Sequence, residues 1–319
     1  MQRLPAHLGR AFQRWGLVPS PRRTAALALS RNLIVVCTRG ARLYLVKAAL
    51  TREDASDLDF EGQLLPRLSA HLARVPGAPL VPTVHAARRG MLALEWIPGG
   101  TLFRHWQRGG ADPGERVGAA LGVLHDSTAA GEPWLSARRP VGDMVEQLVW
   151  STAPRDAALE LWRRVQADPK AARALERLLA DEAAGHEVLV HGDLRHANVI
   201  LNRGRVAFVD WELAGRGDFA RDLGMLLAED VAGWLGGGLS QAAMRRRLGS
   251  VRRGHRRTAP GLLDGAQPRV IGWLAEALLR RAYTLAHQRG FGAEEARLAD
   301  TALELLRAPK AWAPKLLGR

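Results

Sequence analysis

The sequence predicts an α+β fold of two lobes, a small antiparallel-sheet lobe followed by a larger, mostly helical one. Three observations carry that expectation. Short apolar runs bounded by turn signals, with one helix among them, fill residues 26–98; a Pro98-Gly99-Gly100 break follows; helical periodicity then dominates to the C-terminus. The 319 residues are 47% hydrophobic, enough for one large core or two smaller ones.

Residues 1–25 are Arg-rich and read as a short amphipathic extension, ahead of a small lobe at 26–98 and a large lobe at 99–319. In the small lobe, Leu33–Cys37 and Arg42–Lys47 flank Thr38-Arg39-Gly40-Ala41, a hairpin signal. Taking Arg39-Gly40 as the two-residue loop pairs Thr38 with Ala41 and sets Asn32 opposite Lys47. A helix is expected over Arg52–Leu72, with Leu58, Leu65, Leu68 and Leu72 on one stripe. Glu61 falls on that stripe, and a carboxylate aimed at a core needs a partner. Lys47, on an otherwise apolar strand, has the complementary need. Strands at Pro82–Ala86 and Met91–Ile97 complete the sheet.

From Leu102 onward, helices are expected near Arg116–His125, Val141–Trp150, Ala157–Gln166 and Ala171–Ala184, and later near Ala220–Trp234, Arg269–Gln288 and Ala293–Leu306. Between the two groups lies a strand-rich island, Val188–Trp211. Its apolar runs fold back around Arg203-Gly204, so that Leu201 pairs with Val206, Ile200 with Ala207 and Asn198 with Val209. Asn198 and Asp210 therefore emerge at the same end of the hairpin. Two converging oxygen donors suit a hard cation such as magnesium, and Asp193 sits on the loop leading in.

His191-Gly192-Asp193 with Asn198, then Asp210-Trp211-Glu212, then Gly217-Asp218-Phe219-Ala220-Arg221-Asp222-Leu223 resemble, in this order and spacing, the aminoglycoside phosphotransferase and choline kinase-like family. The resemblance implies a protein-kinase-like fold and ATP- and Mg2+-dependent transfer of the γ-phosphate to a hydroxyl of a small molecule or natural product. It makes Asp193 the catalytic base, Asn198 and Asp210 magnesium ligands, and Lys47, paired with Glu61, a contact for the nucleotide phosphates. Leu92–Gly99 resembles the interlobe hinge, whose backbone binds adenine near Glu95 and Ile97. Ser30-Arg31-Asn32 resembles the family's short nucleotide loop, since no G-x-G-x-x-G precedes Lys47. Asp222 is either a scaffold for backbone amides of the catalytic loop or a helix N-terminal acid, and His191 is read as an orienting histidine. Arg195 and His196 stand where many relatives carry His and Pro. Arg195 is either a contact for phosphate or acidic substrate or a solvated loop arginine.

Lys plus Arg is 46 against 32 acids, and only four of the 46 are lysines. This usage reads as genomic base composition, and with no interleaved aromatics or recognisable motif it argues against a nucleic-acid partner. Met225–Arg319 carries 16 basic and 8 acidic residues, including the runs within Arg245–Arg257, which would favour a neutral or anionic acceptor over a polycation. Those runs also suit a protein partner. Two alternatives to small-molecule phosphorylation are a Ser/Thr kinase maturing a ribosomally made precursor peptide and a catalytically silent scaffold. The lone Cys37, the absence of a visible leader and the shortness of the apolar runs predict a cytoplasmic protein without a membrane span.

Overall fold

The structure is a computed structural model, and it describes residues 6–20, 32–109, 111–129, 159–184 and 188–318. Ser30, Arg31 and the helix expected at Val141–Trp150 lie outside the described residues.

Helix α1 (Ala6–Trp15) and strands β1 (Val18–Pro19), β2 (Asn32–Arg39), β3 (Arg42–Ala49), β4 (Val84–Arg88) and β5 (Met91–Glu95) make up the small sheet and its outer cover, with strand order β1-β2-β3-β5-β4. Leu8, Ala11 and Phe12 recur at helical spacing. They bury against Val35, Tyr44, Val46 and Ala93, so the leading segment shares the core of the sheet rather than trailing from it. The β2–β3 register differs from the expected one. Arg39 faces Arg42 around a Gly40-Ala41 turn, which sets Lys47 opposite Ile34 and Asn32 opposite Ala49. Gly40 takes the positive φ, 58°, at the first turn position, where one mirror-image hairpin turn puts glycine. The shift is two residues, so Asn32 and Lys47 keep the same face.

Helix α2 (Arg52–Leu72) starts where the Thr51 side chain accepts from the Asp54 amide at 3.1 Å. Leu58, Leu65, Leu68 and Leu72 are all buried, and so is Glu61. The loop that follows is stitched to the large lobe: Leu80 N–H donates to Val206 O (2.8 Å), and Phe208 N–H donates to Leu80 O (3.0 Å).

The large lobe opens with β6 (Gly100–Thr101), α3 (Leu102–Arg108) and α4 (Gly114–Thr128), followed by α5 (Leu159–Gln166) and α6 (Pro169–Ala184). Strands β7 (Val188–Val190), β8 (Val199–Asn202), β9 (Arg205–Phe208) and β10 (Gly215–Gly217) carry the loops of interest. Helices α7 (Phe219–Leu235), α8 (Gln241–Thr258), α9 (Gln267–Arg289), α10 (Ala293–Arg307) and α11 (Pro309–Leu317) complete it. The β8–β9 hairpin has the expected register, with Arg203 and Gly204 both left-handed at φ 44° and 85°. Helices α8 and α11 are absent from the sequence reading. In α8 the buried stripe is Met244, Leu248, Val251 and His255, interrupted by Ser250 and Gly254, and arginines crowd the rest. No helix among the described residues is long and apolar enough to cross a membrane.

Candidate functional site

The β8–β9 hairpin fixes one end of the site. Val209 N–H donates to Asn198 O at 3.0 Å, so Asn198 and Asp210 leave the hairpin side by side. Asp210 is left-handed at φ 75°, a conformation Asp tolerates better than most residues and one that concentrates at functional sites.

The loop after β7 presents Asp193. Its start is held by Asp222, whose buried carboxylate accepts from the amides of His191 (2.7 Å) and Gly192 (3.0 Å). Burial alone would raise the Asp222 pKa, but His125 and these loop contacts hold it below the ordinary carboxylate value. His191 Nε2–H donates to Val209 O (2.9 Å) while Nδ1 accepts from the Asp193 amide (3.3 Å), and its ring lies 4.6 Å from that of Trp211. Asn198 Nδ2 donates to both Asp193 O (2.8 Å) and Asp193 Oδ2 (3.1 Å), leaving Oδ1 to offer a cation. Arg195 grips the Asp193 carboxylate in a fork, with Nε at 2.9 and 3.1 Å and Nη2 at 2.8 Å. It is neither free nor simply solvated.

Lys47 and Glu61 meet as their complementary needs require, at 2.7 Å and with both side chains buried. The lysine also bonds Asp210 and lies 3.5 Å from Glu212. Burial alone would depress the Lys47 pKa, but the charges of Asp210, Glu61 and Glu212 hold it well above the lysine norm. Conversely, Lys47 keeps Asp210 ionised against its burial. Three carboxylates about one ammonium leave net negative charge, and oxygens of Glu61, Asp210 and Glu212 lie within 4.8 Å of one another.

Of the Ser30-Arg31-Asn32 segment, Asn32 alone lies among the described residues. It begins β2, is buried, and donates to Glu212 Oε2 at 2.6 Å, tying the sheet to the Asp210 segment. At the hinge, the Glu95 amide is spent on Thr83 O (2.8 Å) and the Trp96 amide on Leu43 O (2.9 Å). Ile97 follows them, half-buried, and makes no backbone bond among the described residues. Glu212 is a site residue that the sequence does not single out: its partners, Lys47 and, 180 residues away in sequence, Asn32, leave no local signal.

The arginine run lies on α8, packed along α4. Arg247 bonds Asp230 (3.0 Å) and stacks over Trp106 at 4.5 Å, and Arg257 pairs with Glu115. A groove of about 840 Å3 bounded by Leu72, Leu80, Arg116, Arg205 and Arg257 lies apart from the site: none of Lys47, Asp193, Asn198 or Asp210 borders it.

Three buried groups around this region give stability a pH dependence. Burial pushes His196 and His255 down to about 3 and pushes Asp230 up to about 7. Below pH 6.5 the unfolded chain takes up protons that the two folded histidines refuse, so stability falls as pH falls, by about 1.4 kcal/mol per unit for each. Between about 4 and 7 the folded Asp230 holds a proton that the unfolded chain releases, which offsets one of the two. Urea midpoints should therefore fall from pH 6.5 to 4 with the slope of one histidine, and Asp230→Asn should steepen that slope about twofold. A flat profile would contradict these burials.

The phosphotransferase enzyme family matches residues 25–260. No curated protein matches the chain. Among solved structures, macrolide 2′-phosphotransferase MphH from Brachybacterium faecium is 22% identical, with 94% of this chain and 98% of that one covered and a TM-score of 0.50. The amicoumacin kinase hAmiN, solved with AMP-PNP, Ca2+ and amicoumacin, is 15% identical over 95% and 93%, with a TM-score of 0.68. Choline kinase from Cryptosporidium parvum Iowa II is 12% identical over 96% of each chain, with a TM-score of 0.58. These likenesses establish the protein-kinase-like fold, and the match over most of its length shows that the chain belongs to the phosphotransferase enzyme family.

Proposed function

We propose that the protein transfers the γ-phosphate of ATP, with Mg2+, to a hydroxyl of a small molecule. The observation that carries this is the convergence of Lys47, Asp193, Asn198 and Asp210, drawn from both lobes, into one connected network of charges and hydrogen bonds. Lys47, held by Glu61, contacts the nucleotide phosphates, and the backbone at Glu95 and Ile97 meets the base. Asn198 Oδ1 and the Asp210 carboxylate are oxygen-only donors beside surplus negative charge, which fits a hard divalent cation. Magnesium, when bound, supplies charge neutralisation to the phosphates.

Asp193 orients the acceptor hydroxyl and takes its proton, while Asn198 Nδ2 fixes the carboxylate's attitude. The Arg195 fork holds that carboxylate and must yield part of it for the hydroxyl to approach. Arg195 and the Arg281–Glu229 pair (3.1 Å), whose Glu229 lies close enough to act on Arg195, give the surroundings of Asp193 a mixed charge. This supports a neutral or weakly charged acceptor over a polycation.

The test incubates the protein with γ-labelled ATP and Mg2+ against macrolides, amicoumacin-type amines, aminoglycosides, choline and neutral polyols. Label is expected on one class of alcohol. No label on any acceptor, together with no ATP hydrolysis, would count against the reading.

A further inference from the structure

Behind the Asp193 loop, three helices contribute a line of buried polar side chains. Asp222 of α7 holds the His191 and Gly192 amides; His125 of α4 reaches the same Asp222 Oδ2 with Nε2 at 3.3 Å; and His255 of α8 brings its Nε2 to 3.1 Å from His125 Nδ1. All three side chains are fully buried, and the Phe219 ring covers both imidazoles, stacked on His255 at 5.6 Å and edge-on to His125 at 6.1 Å.

The hydrogen-bond inventory assigns the protons. An ionised Asp222 only accepts, so His125 Nε2 carries hydrogen. With one proton on each imidazole, His125 Nδ1 is bare and His255 presents Nε2–H to it. That leaves His255 Nδ1 bare, buried and without a partner among the described residues. A lone acceptor in such a place costs free energy that a phenylalanine would not incur. Packing alone therefore does not account for a histidine at 255, whereas donation to His125 does.

We propose that His125 and His255 are positioning residues for phosphate transfer. His255 fixes the tautomer of His125, His125 fixes the Asp222 carboxylate, and Asp222 fixes the two amides that set where Asp193 stands. Neither histidine touches substrate; both act through Asp222. The effect on turnover rests on the phosphotransferase reading, while the arrangement of protons does not.

Two measurements on the full chain test it. Nitrogen NMR of histidine-labelled protein at pH 7 should show His125 and His255 each protonated at Nε2 and bare at Nδ1; hydrogen on Nδ1 of either overturns the relay. In Mg2+-dependent ATP hydrolysis, His255→Phe should lower kcat about tenfold while nucleotide affinity stays within about twofold, and His125→Leu should lower it by about 10²-fold. His255→Gln, whose Nε2–H replaces the lost donor, should recover to within about threefold of the parent. Unchanged kcat in His255→Phe, a folded Gln variant as slow as Phe, or a matching loss of nucleotide affinity overturns the positioning role. If the parent protein neither labels an acceptor nor hydrolyses ATP, the phosphotransferase reading fails, and the NMR result still decides the relay.

Discussion

Asp210→Asn is expected to lower phosphate transfer by about 10³-fold and to remove the Mg2+-dependent part of nucleotide affinity. Asparagine is chosen because it tolerates the left-handed backbone of position 210 nearly as well as aspartate, so the fold is spared and only the charge is lost. That charge has two uses. It supplies an oxygen donor beside Asn198, and it holds one side of Lys47, which would be left between Glu61 and Glu212. Asp193→Asn should abolish transfer as fully but leave nucleotide affinity near the parent's, because Asp193 bonds Arg195 and Asn198 rather than the lysine. Isothermal titration with ATP and Mg2+, run beside turnover, separates the two. Normal transfer in Asp210→Asn, or nucleotide affinity lost in Asp193→Asn and kept in Asp210→Asn, would reverse the assigned roles.

What the sequence made legible follows from the range of the forces involved. The β8–β9 hairpin was readable because its register is fixed by the local turn at Arg203-Gly204. Helix α2 was readable because its leucine stripe repeats at 3.6 residues, and the misplaced Glu61 on that stripe announced a buried cation. The β2–β3 turn was ambiguous, since glycine at either central position makes an acceptable two-residue loop; the ladder chose the one that keeps Thr38 and Arg39 paired. Resemblance sets Asn32 in a nucleotide loop, and the fold adds a bond to Glu212. That contact, like the fork of Arg195 on Asp193, depends on where chains meet and leaves no periodic trace. Helix α8 has only a thin apolar signal, because Met244, Leu248 and Val251 are set among seven arginines and its closest approach to α4 is made at Gly254, which has no side chain. The spacing of Gly114, Gly118 and Gly122 on α4, four residues apart, was the available clue to a partner helix pressed against them.

That crossing carries the second large effect. Methyl groups added at Gly118 and Gly254 would stand 2.7 Å from the Val251 carbonyl carbon and from the Ala119 nitrogen, respectively, well inside contact distance. Both obstacles are backbone, which cannot rotate away. Gly118→Ala and Gly254→Ala should therefore each cost about 3 kcal/mol or more in urea unfolding, although alanine is intrinsically the better helix former by about 1 kcal/mol. Gly233→Ala, in α7, is the matched control. Its added carbon would meet only the Leu239 side chain, at 3.8 Å, so propensity should prevail and the variant should match or exceed the parent. The double variant Gly118→Ala/Gly254→Ala should cost much less than the sum, because one methyl already parts the helices that the second would part. Parting them also draws His255 from His125, so turnover should fall in whatever fraction remains folded. Parental stability in both single variants would mean that α4 and α8 do not cross in backbone contact, and the arrangement behind the Asp193 loop would have to be redrawn.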